Sequence, residues 1–331
     1  MTKSNVLGTW VKRFLLDYLI IERNLSINTR SSYRDMIILL MNYLSNHLKK
    51  SVDRLLISDI SAKLIRDFLG FLEQKRGCSI ATRNQRLGAI HALARFIGGS
   101  NPEYIEWCSQ ICLIPFKKTV QPCITYLEKT EMDAILKSPD RNTPQGQRDY
   151  SLLLFLYNSG TRASEAANIK IGDVDWYTSS VNIIGKGNKR RTCPLWSITI
   201  KQLKLISKNR GTEQHVFLNR SKKPITRFGI HTLVERHALK ASSQYPSLST
   251  KHASPHVIRH TTASHLLKAG VDINTIRAWL GHVSLNTTNI YAETDLETKA
   301  KALAACEPDE KVCRKKPWRE QTDLMKFLKN L

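Results

Sequence analysis

The sequence predicts a mainly α-helical protein with a small antiparallel β-sheet, an α+β chain built as two domains. Three observations predict it. The chain has 331 residues, 41% of them hydrophobic, which suits two domains with real cores better than one domain or a disordered chain. Apolar residues recur at helical spacing through most of its length. One stretch, 174–191, has the alternation and central turn of a β-hairpin.

The first hundred residues read as helices. Trp10, Phe14, Leu15, Tyr18 and Leu19 share one helical face. A second helix begins at Ser26, a suitable N-cap, and carries Tyr33, Ile37, Leu40, Met41 and Leu44 on one side. A third covers Ser61–Gln74, with Leu64, Ile65, Phe68, Leu69 and Leu72. A fourth runs from Ile80 to Ile97, where Leu87, Ile90, Leu93 and Phe96 alternate with Arg83, Arg86, His91 and Arg95, basic residues that suit a duplex clamp or an ordinary solvated face. Gly98-Gly99-Ser100-Asn101-Pro102 reads as a breaker. Pro115 and Pro122 around Lys117 and Lys118 suggest an extended basic linker. The expected division is a helical domain over 1–105, a linker over 106–125, a second domain over 126–305 and a basic tail over 306–331.

In the second domain Lys129–Lys137 reads as a helix, and Arg148–Tyr157 opens a longer, very apolar one. A strand near Ser180–Ile184, a turn at Gly185-Lys186-Gly187-Asn188 and a strand through Thr192–Leu195 form the hairpin. Beyond about residue 225 the pattern is helical. In the tail, Leu324, Phe327, Leu328 and Leu331 follow a helical stripe that suits a partner protomer or the chain's own domain equally well.

Lys and Arg number 51 against 28 Asp and Glu, a formal net charge of +23. Such an excess points to a polyanion, and nucleic acid is the commonest one. A membrane surface would call for a basic amphipathic segment beside an apolar anchor, and none is evident. The longest apolar runs, Met36–Met41 and Leu152–Tyr157, are too short to span a bilayer. The opening residues lack the core and cleavage site of a signal peptide. Seven cysteines without a CxxC pair support neither a zinc ribbon nor a redox motif, and a reducing cytoplasm is the expected compartment. Ten histidines raise the question of zinc, but no pair has the HExxH form. No metal or other cofactor is expected.

Cleaving a phosphodiester without metal requires fixed cations around a phosphate whose negative charge grows in the transition state. Arginine suits this, because its fork grips two oxygens and stays charged. A nucleophile must also lose a proton and the leaving oxygen gain one. A set of residues matches these needs. Arg162 sits at a Gly-containing turn after an apolar helix, with Glu165 three residues on. Lys186 stands between two glycines at the hairpin tip, with Lys189, close enough to compete for its role, and Arg190 and Arg191 beside it. Ser254 suits an N-cap and Pro255 the first helical position, which puts His256 and Arg259 on one face near the positive end of a helix. Leu280-Gly281-His282 ends the next helix, and Tyr291 lies nine residues beyond His282. Singly, each of these residues would more often be structural. The ordered set of six is what carries weight.

That set resembles the tyrosine recombinase (phage integrase) family. The likeness lies in Arg162 of SGTRASEA, Lys186 of GKGNKRR, His256 and Arg259 of PHVIRHT, His282 of LGH and Tyr291 of TTNIYAE. LSINTRSSYRDMIILLMNYL (25–44) and SIATRNQRLGAIHALARF (79–96) look like the family's helical core-binding, SAM-like domain. The likeness covers roughly residues 8–305. It implies a C-shaped clamp on double-stranded DNA, a homo- or hetero-tetramer on two DNA sites, and strand exchange through a 3′-phosphotyrosyl intermediate and a Holliday junction. It implies that Tyr291 is the nucleophile and that Arg162, Arg259, His256 and His282 hold the phosphate. It also implies His256 as proton acceptor, Lys186 as donor to the leaving 5′ oxygen, and Glu165 as a brace for Arg162. The core-binding motif begins close to the N-terminus, so no arm-binding domain is expected. A mobile-element recombinase is the first expectation and a Xer-like chromosome-dimer resolvase the second. Two rivals remain. One is a non-catalytic regulator that uses 262–280 as a helix-turn-helix, in which Tyr291 and both arginines would have no task. The other is a type IB topoisomerase, whose signature would be relaxation without exchange.

Overall fold

The computed structural model describes residues 5–119, 125–185 and 187–281. The chain forms two compact units that part between Pro122 and Cys123. The described residues are mostly helical, with one small antiparallel sheet, as the sequence predicts. The tail expected over 306–331 lies outside the described residues.

The described residues of the first unit form helices and no β-strand. Helix α1 (Leu7–Arg13) runs on into π-helical turns over Phe14–Glu22. It is followed by α2 (Ile27–Leu48), α3 (Ala62–Gln74), α4 (Ile80–Ser100) and α5 (Ile105–Cys112). Serines start three of them: Ser26, Ser61 and Ser79 each accept a hydrogen bond from the backbone N–H three residues on, satisfying a donor that the helix leaves orphaned. The apolar stripes face one core, in which Trp10, Phe14, Leu40, Leu44, Phe68, Leu72 and Leu87 are buried.

Two features of this unit differ from the sequence reading. The glycine pair does not end α4, and the stretch expected as linker from 106 begins with α5, which packs on α4. Trp107 Nε1 donates to Ile60 O at 2.6 Å, and Ile111 and Ile114 are buried in the core. A Cβ at Gly98 would lie 2.7 Å from Cys108 Cβ, so the glycine is there to let two helices approach, which local breaker rules do not see. Further on, Lys117 pairs with Glu73 at 2.7 Å, and Asn84 bonds the Lys117 backbone at both ends. The second difference concerns the basic residues of α4. Arg83 and His91 point inward. Arg83 donates to Pro115 O at 3.0 Å, and burial, with Arg95 nearby, holds the His91 imidazole below its ordinary pKa. Arg95 is exposed.

The second unit starts with α6 (Lys129–Lys137) and α7 (Pro144–Ser159). Thr143 caps α7 and Pro144 opens it, as suits a first-turn proline. Short α8 (Ala163–Asn168) leads to β1 (Val174–Asp175), β2 (Ser180–Ile184) and β3 (Arg190–Pro194), which form an antiparallel sheet in that order. In the β2–β3 register Ile183 faces Arg191 and Val181 faces Cys193. Among the described residues five helices follow: α9 (Ser197–Ser207), α10 (Arg227–Ala241), α11 (Ser247–Thr250), α12 (Pro255–Lys268) and α13 (Ile273–Leu280). The core gathers Leu152, Phe155 and Leu156 of α7 with Val181, Ile183, Phe217, Ile230, Val234 and Ile258. Ser138, His237 and Asp149 form a hydrogen-bonded chain, with contacts of 2.8 and 3.1 Å. The Ser138 hydroxyl also donates to Ile135 O at 2.8 Å, so the chain ties α6, α7 and α10 together.

Alanine at a helix-interior glycine ordinarily adds about 1 kcal/mol of stability. Gly98→Ala should instead cost about 1–3 kcal/mol, because the new methyl must displace the Cys108 stem. Thermal denaturation checks the sign, and a stabilised variant would contradict this packing.

Candidate active site

Helix α7 ends at Gly160, in the left-handed conformation. The chain turns there and delivers Arg162 as the residue preceding α8. Glu165, in the first turn of α8, reaches back twice: Arg162 N donates to Oε2 at 3.1 Å and Arg162 Nη1 to Oε1 at 2.8 Å. Burial alone would raise the Glu165 pKa, but the hydrogen bond and charge of Arg191, then the backbone and side-chain hydrogen bonds of Arg162, outweigh it and hold the carboxyl below its ordinary range. The Arg162 side chain keeps about a third of its surface open, 35%, against 4% for Glu165. The expected brace is therefore present, and it is anionic.

Ser254 Oγ accepts from Val257 N, and Pro255 fills the first turn of α12. The next two site residues follow on one face. Arg259 is 2% exposed. Its Nη1 donates to Gly160 O at 2.6 Å and its Nη2 to Leu280 O at 2.7 Å. These carbonyls belong to the C-terminal ends of α7 and α13, where the helix dipole is negative, which offsets the cost of burying a guanidinium. His256 is open to the cleft at its edge. Partial burial, then the charges of Arg259 and Arg162, hold its imidazole below the ordinary range. It is thus neutral near pH 7 and able to accept a proton. His260, one turn on, meets the His256 ring edge to face at 4.3 Å. Burial, His256 and Arg259 push its pKa down to about 4.

Arg162, His256 and Arg259 line one cleft of about 320 Å³, together with Ser254, Arg227 and His231. Sequence reasoning missed Arg227 and His231. They lie in the first turns of α10, and nothing in local spacing shows that α10 borders the α8–α12 cleft. It also gave Arg191 no role. The guanidinium of Arg191 donates to Glu165 Oε2 at 2.6 Å and to Trp279 O at 2.9 Å. Helices α12 and α13, joined through Gly270, do have the helix-turn-helix spacing of the regulator reading. Lys186, His282 and Tyr291 lie outside the described residues. Gly185, Gly187 and Gly281, which adjoin the first two in sequence, are described. Among the described residues no three His, Cys, Asp or Glu side chains gather as metal ligands, and no helix is long and apolar enough to cross a membrane.

Residues 125–297 match the phage integrase family and residues 11–98 its N-terminal SAM-like domain. A putative integrase/recombinase of Sinorhizobium fredii is 35% identical over 334 aligned residues that span the whole of both chains. The tyrosine recombinase XerC of Oceanobacillus iheyensis is 29% identical, covering 92% of this chain and 97% of its own. Of solved structures, the XerH site-specific recombinase bound to its difH substrate superposes with a TM-score of 0.67 at 23% identity, over 86% of this chain and 82% of that one. The Tn1549 transposon integrase in complex with transposon right end DNA gives 0.65 at 17% identity, over 88% and 98%. The chain belongs to the phage integrase family, the tyrosine recombinases. It is an enzyme that cleaves and rejoins DNA strands, and the regulator reading is set aside.

The depressed histidines give the fold a pH dependence of definite sign. Above about 6.5 His260 is neutral whether folded or unfolded. As pH falls, the unfolded chain takes up the proton first, so stability is lost between about 6.5 and about 4. Between pH 7.5 and pH 5 this one group should remove about 2 kcal/mol. Denaturant titrations should show a shallower pH slope for His260→Asn. An unchanged slope would contradict the assignment.

Proposed function

We propose that the cleft holds the scissile phosphate and that Tyr291 attacks it. The observation that carries this reading is the convergence of Arg162, His256 and Arg259, residues of two separate sequence motifs, on one basic cleft. In the proposed reaction the Tyr291 phenol gives its proton to His256 and its oxygen bonds to phosphorus. The bond to the 5′ oxygen breaks, and Lys186 supplies the proton that makes it a hydroxyl. Arg162, Arg259 and His282 meet the charge that develops on the phosphate oxygens. Rejoining reverses these steps from the 3′-phosphotyrosyl link, which keeps the bond energy. A tyrosine with an ordinary pKa of about 10 needs such cationic surroundings to ionise. The +23 charge supports double-stranded DNA as the partner.

The proposed setting is a tetramer on two DNA sites, acting in the cytoplasm to integrate, excise or transpose a mobile element. The relative from Sinorhizobium fredii, named an integrase/recombinase and matching from end to end, favours that role. Resolution of chromosome dimers is the second reading, favoured by the XerC relative.

The test is covalent trapping. The protein is incubated without metal on nicked duplexes that it has itself selected from a random-sequence pool, and SDS-resistant adducts are counted. Wild type should form the adduct, and Tyr291→Phe should bind with unchanged affinity and form none. An adduct in the variant would overturn the role of Tyr291.

A further inference from the structure

Arg190 and Arg191 stand side by side in β3 and have opposite fates, because successive strand residues point to opposite faces. Arg190 is exposed. Arg191 faces inward with Cys193, and its side chain is 9% exposed. Its guanidinium touches three separate parts of the site. It donates to Glu165, the carboxylate that also holds Arg162. It donates to Trp279 O, one of the last carbonyls of α13, which have no partner within the helix. It also packs against two glycine backbones. A Cβ on Gly185 would lie 3.2 Å from Arg191 Nη1, and one on Gly281 would lie 3.1 Å from both Arg191 Cδ and Nη1. Gly185 is the residue before Lys186, and Gly281 is the residue before His282. Gly185 is itself fixed across the turn, its N–H donating to Lys189 O at 2.8 Å.

We propose that Arg191 is a positioning residue for the cleavage step: it ties the root of the β2–β3 hairpin to Glu165 and to the end of α13, and so sets where Lys186 is presented relative to Arg162. Two nitrogens of Arg191, Nε and Nη2, are turned to Trp279 and Glu165, and Nη1 lies against Gly185 and Gly281, so the proposal gives Arg191 a place in the frame and no contact with the phosphate. Its effect reaches the reaction through the leaving-group proton, so the proposal rests on the reading of Lys186 as the acid. A guanidinium is needed because one planar group must serve a carboxylate and a carbonyl at once. An ammonium, a point charge, holds one of them in place of the pair.

The experiment compares Arg191→Met, Arg191→Lys and Lys186→Ala with wild type in single-turnover cleavage of a selected nicked duplex. Each duplex is made with either oxygen or sulfur at the bridging 5′ position. A sulfur leaving group needs no proton, so it restores variants that have lost only the acid. Arg191→Met should cleave the oxygen substrate about 10²-fold more slowly. It should keep DNA affinity within roughly threefold, and cleave the sulfur substrate within about fivefold of wild type. Arg191→Lys should lose about tenfold on oxygen and recover on sulfur in the same way. A merely structural role would lower both substrates equally. The proposal is overturned if Arg191→Met cleaves the oxygen substrate at the wild-type rate. It is also overturned if the Arg191 variants stay slow on sulfur while Lys186→Ala recovers. If Lys186→Ala itself fails to recover, the acid assignment is what has failed, and the proposal falls with it. Should Arg191→Met not fold, Arg191→Lys decides by the same two rates.

Discussion

One buried carboxylate, Glu165, is the interaction on which the rest of the site depends. It is 4% exposed and lies between two guanidinium groups, with contacts of 2.8 Å to Arg162 and 2.6 Å to Arg191. A lone carboxylate at that depth would be driven to take up a proton. Two arginines make the anion the stable form, and the anion in turn fixes both arginines. They differ in what they can then do. Arg162 keeps a third of its surface open to the cleft, whereas Arg191 is closed in by strand, helix end and glycine backbone. The same carboxylate therefore serves one arginine that faces the cleft and one that fastens the frame.

The frame has a second fastening in Arg259. Its two hydrogen bonds to Gly160 O and Leu280 O bring the ends of α7 and α13 together under the cleft. Gly160 lies two residues before Arg162, and Leu280 two before His282. Helix α13 thus ends on two cations, Arg191 at Trp279 O and Arg259 at Leu280 O, where the helix dipole favours positive charge. Helix ends that would otherwise need water are satisfied by the side chains that build the site, so fold and site are held by the same bonds. Partial burial first, and then this concentration of positive charge on Arg259 and Arg162, hold the His256 imidazole below its ordinary pKa.

Much of this was legible in the sequence, wherever the governing physics is local. Ser26, Ser61 and Ser254 start helices where a short hydroxyl can cap them, and the apolar stripes of α2, α3 and α7 are the faces that became buried. His256 and Arg259, and Arg162 with Glu165, share their elements by spacing alone. What could not be read was which of two like neighbours faces inward. Arg190 and Arg191 are the same residue type, and β3 begins earlier than the turn pattern suggests, so that alternation sends Arg191 to the core side. On α4, Arg83 and His91 looked like surface cations and proved to be internal, because α5 and the segment after it cover them. Gly98 looked like a breaker for the same reason: its partner, Cys108, lies on the following helix. Contacts such as Arg191 with Trp279, 88 residues apart, leave no periodic mark in the chain.

The most direct test of the shared carboxylate is a double-mutant cycle on stability, with Glu165→Gln, Arg191→Met and the double variant measured by chemical denaturation. Each single change leaves a buried charge with less compensation, at a cost of about 3–5 kcal/mol. The account predicts that the double variant loses less than the two together, with a coupling of about 1–3 kcal/mol. Strict additivity would show that Glu165 and Arg191 act independently and would contradict it.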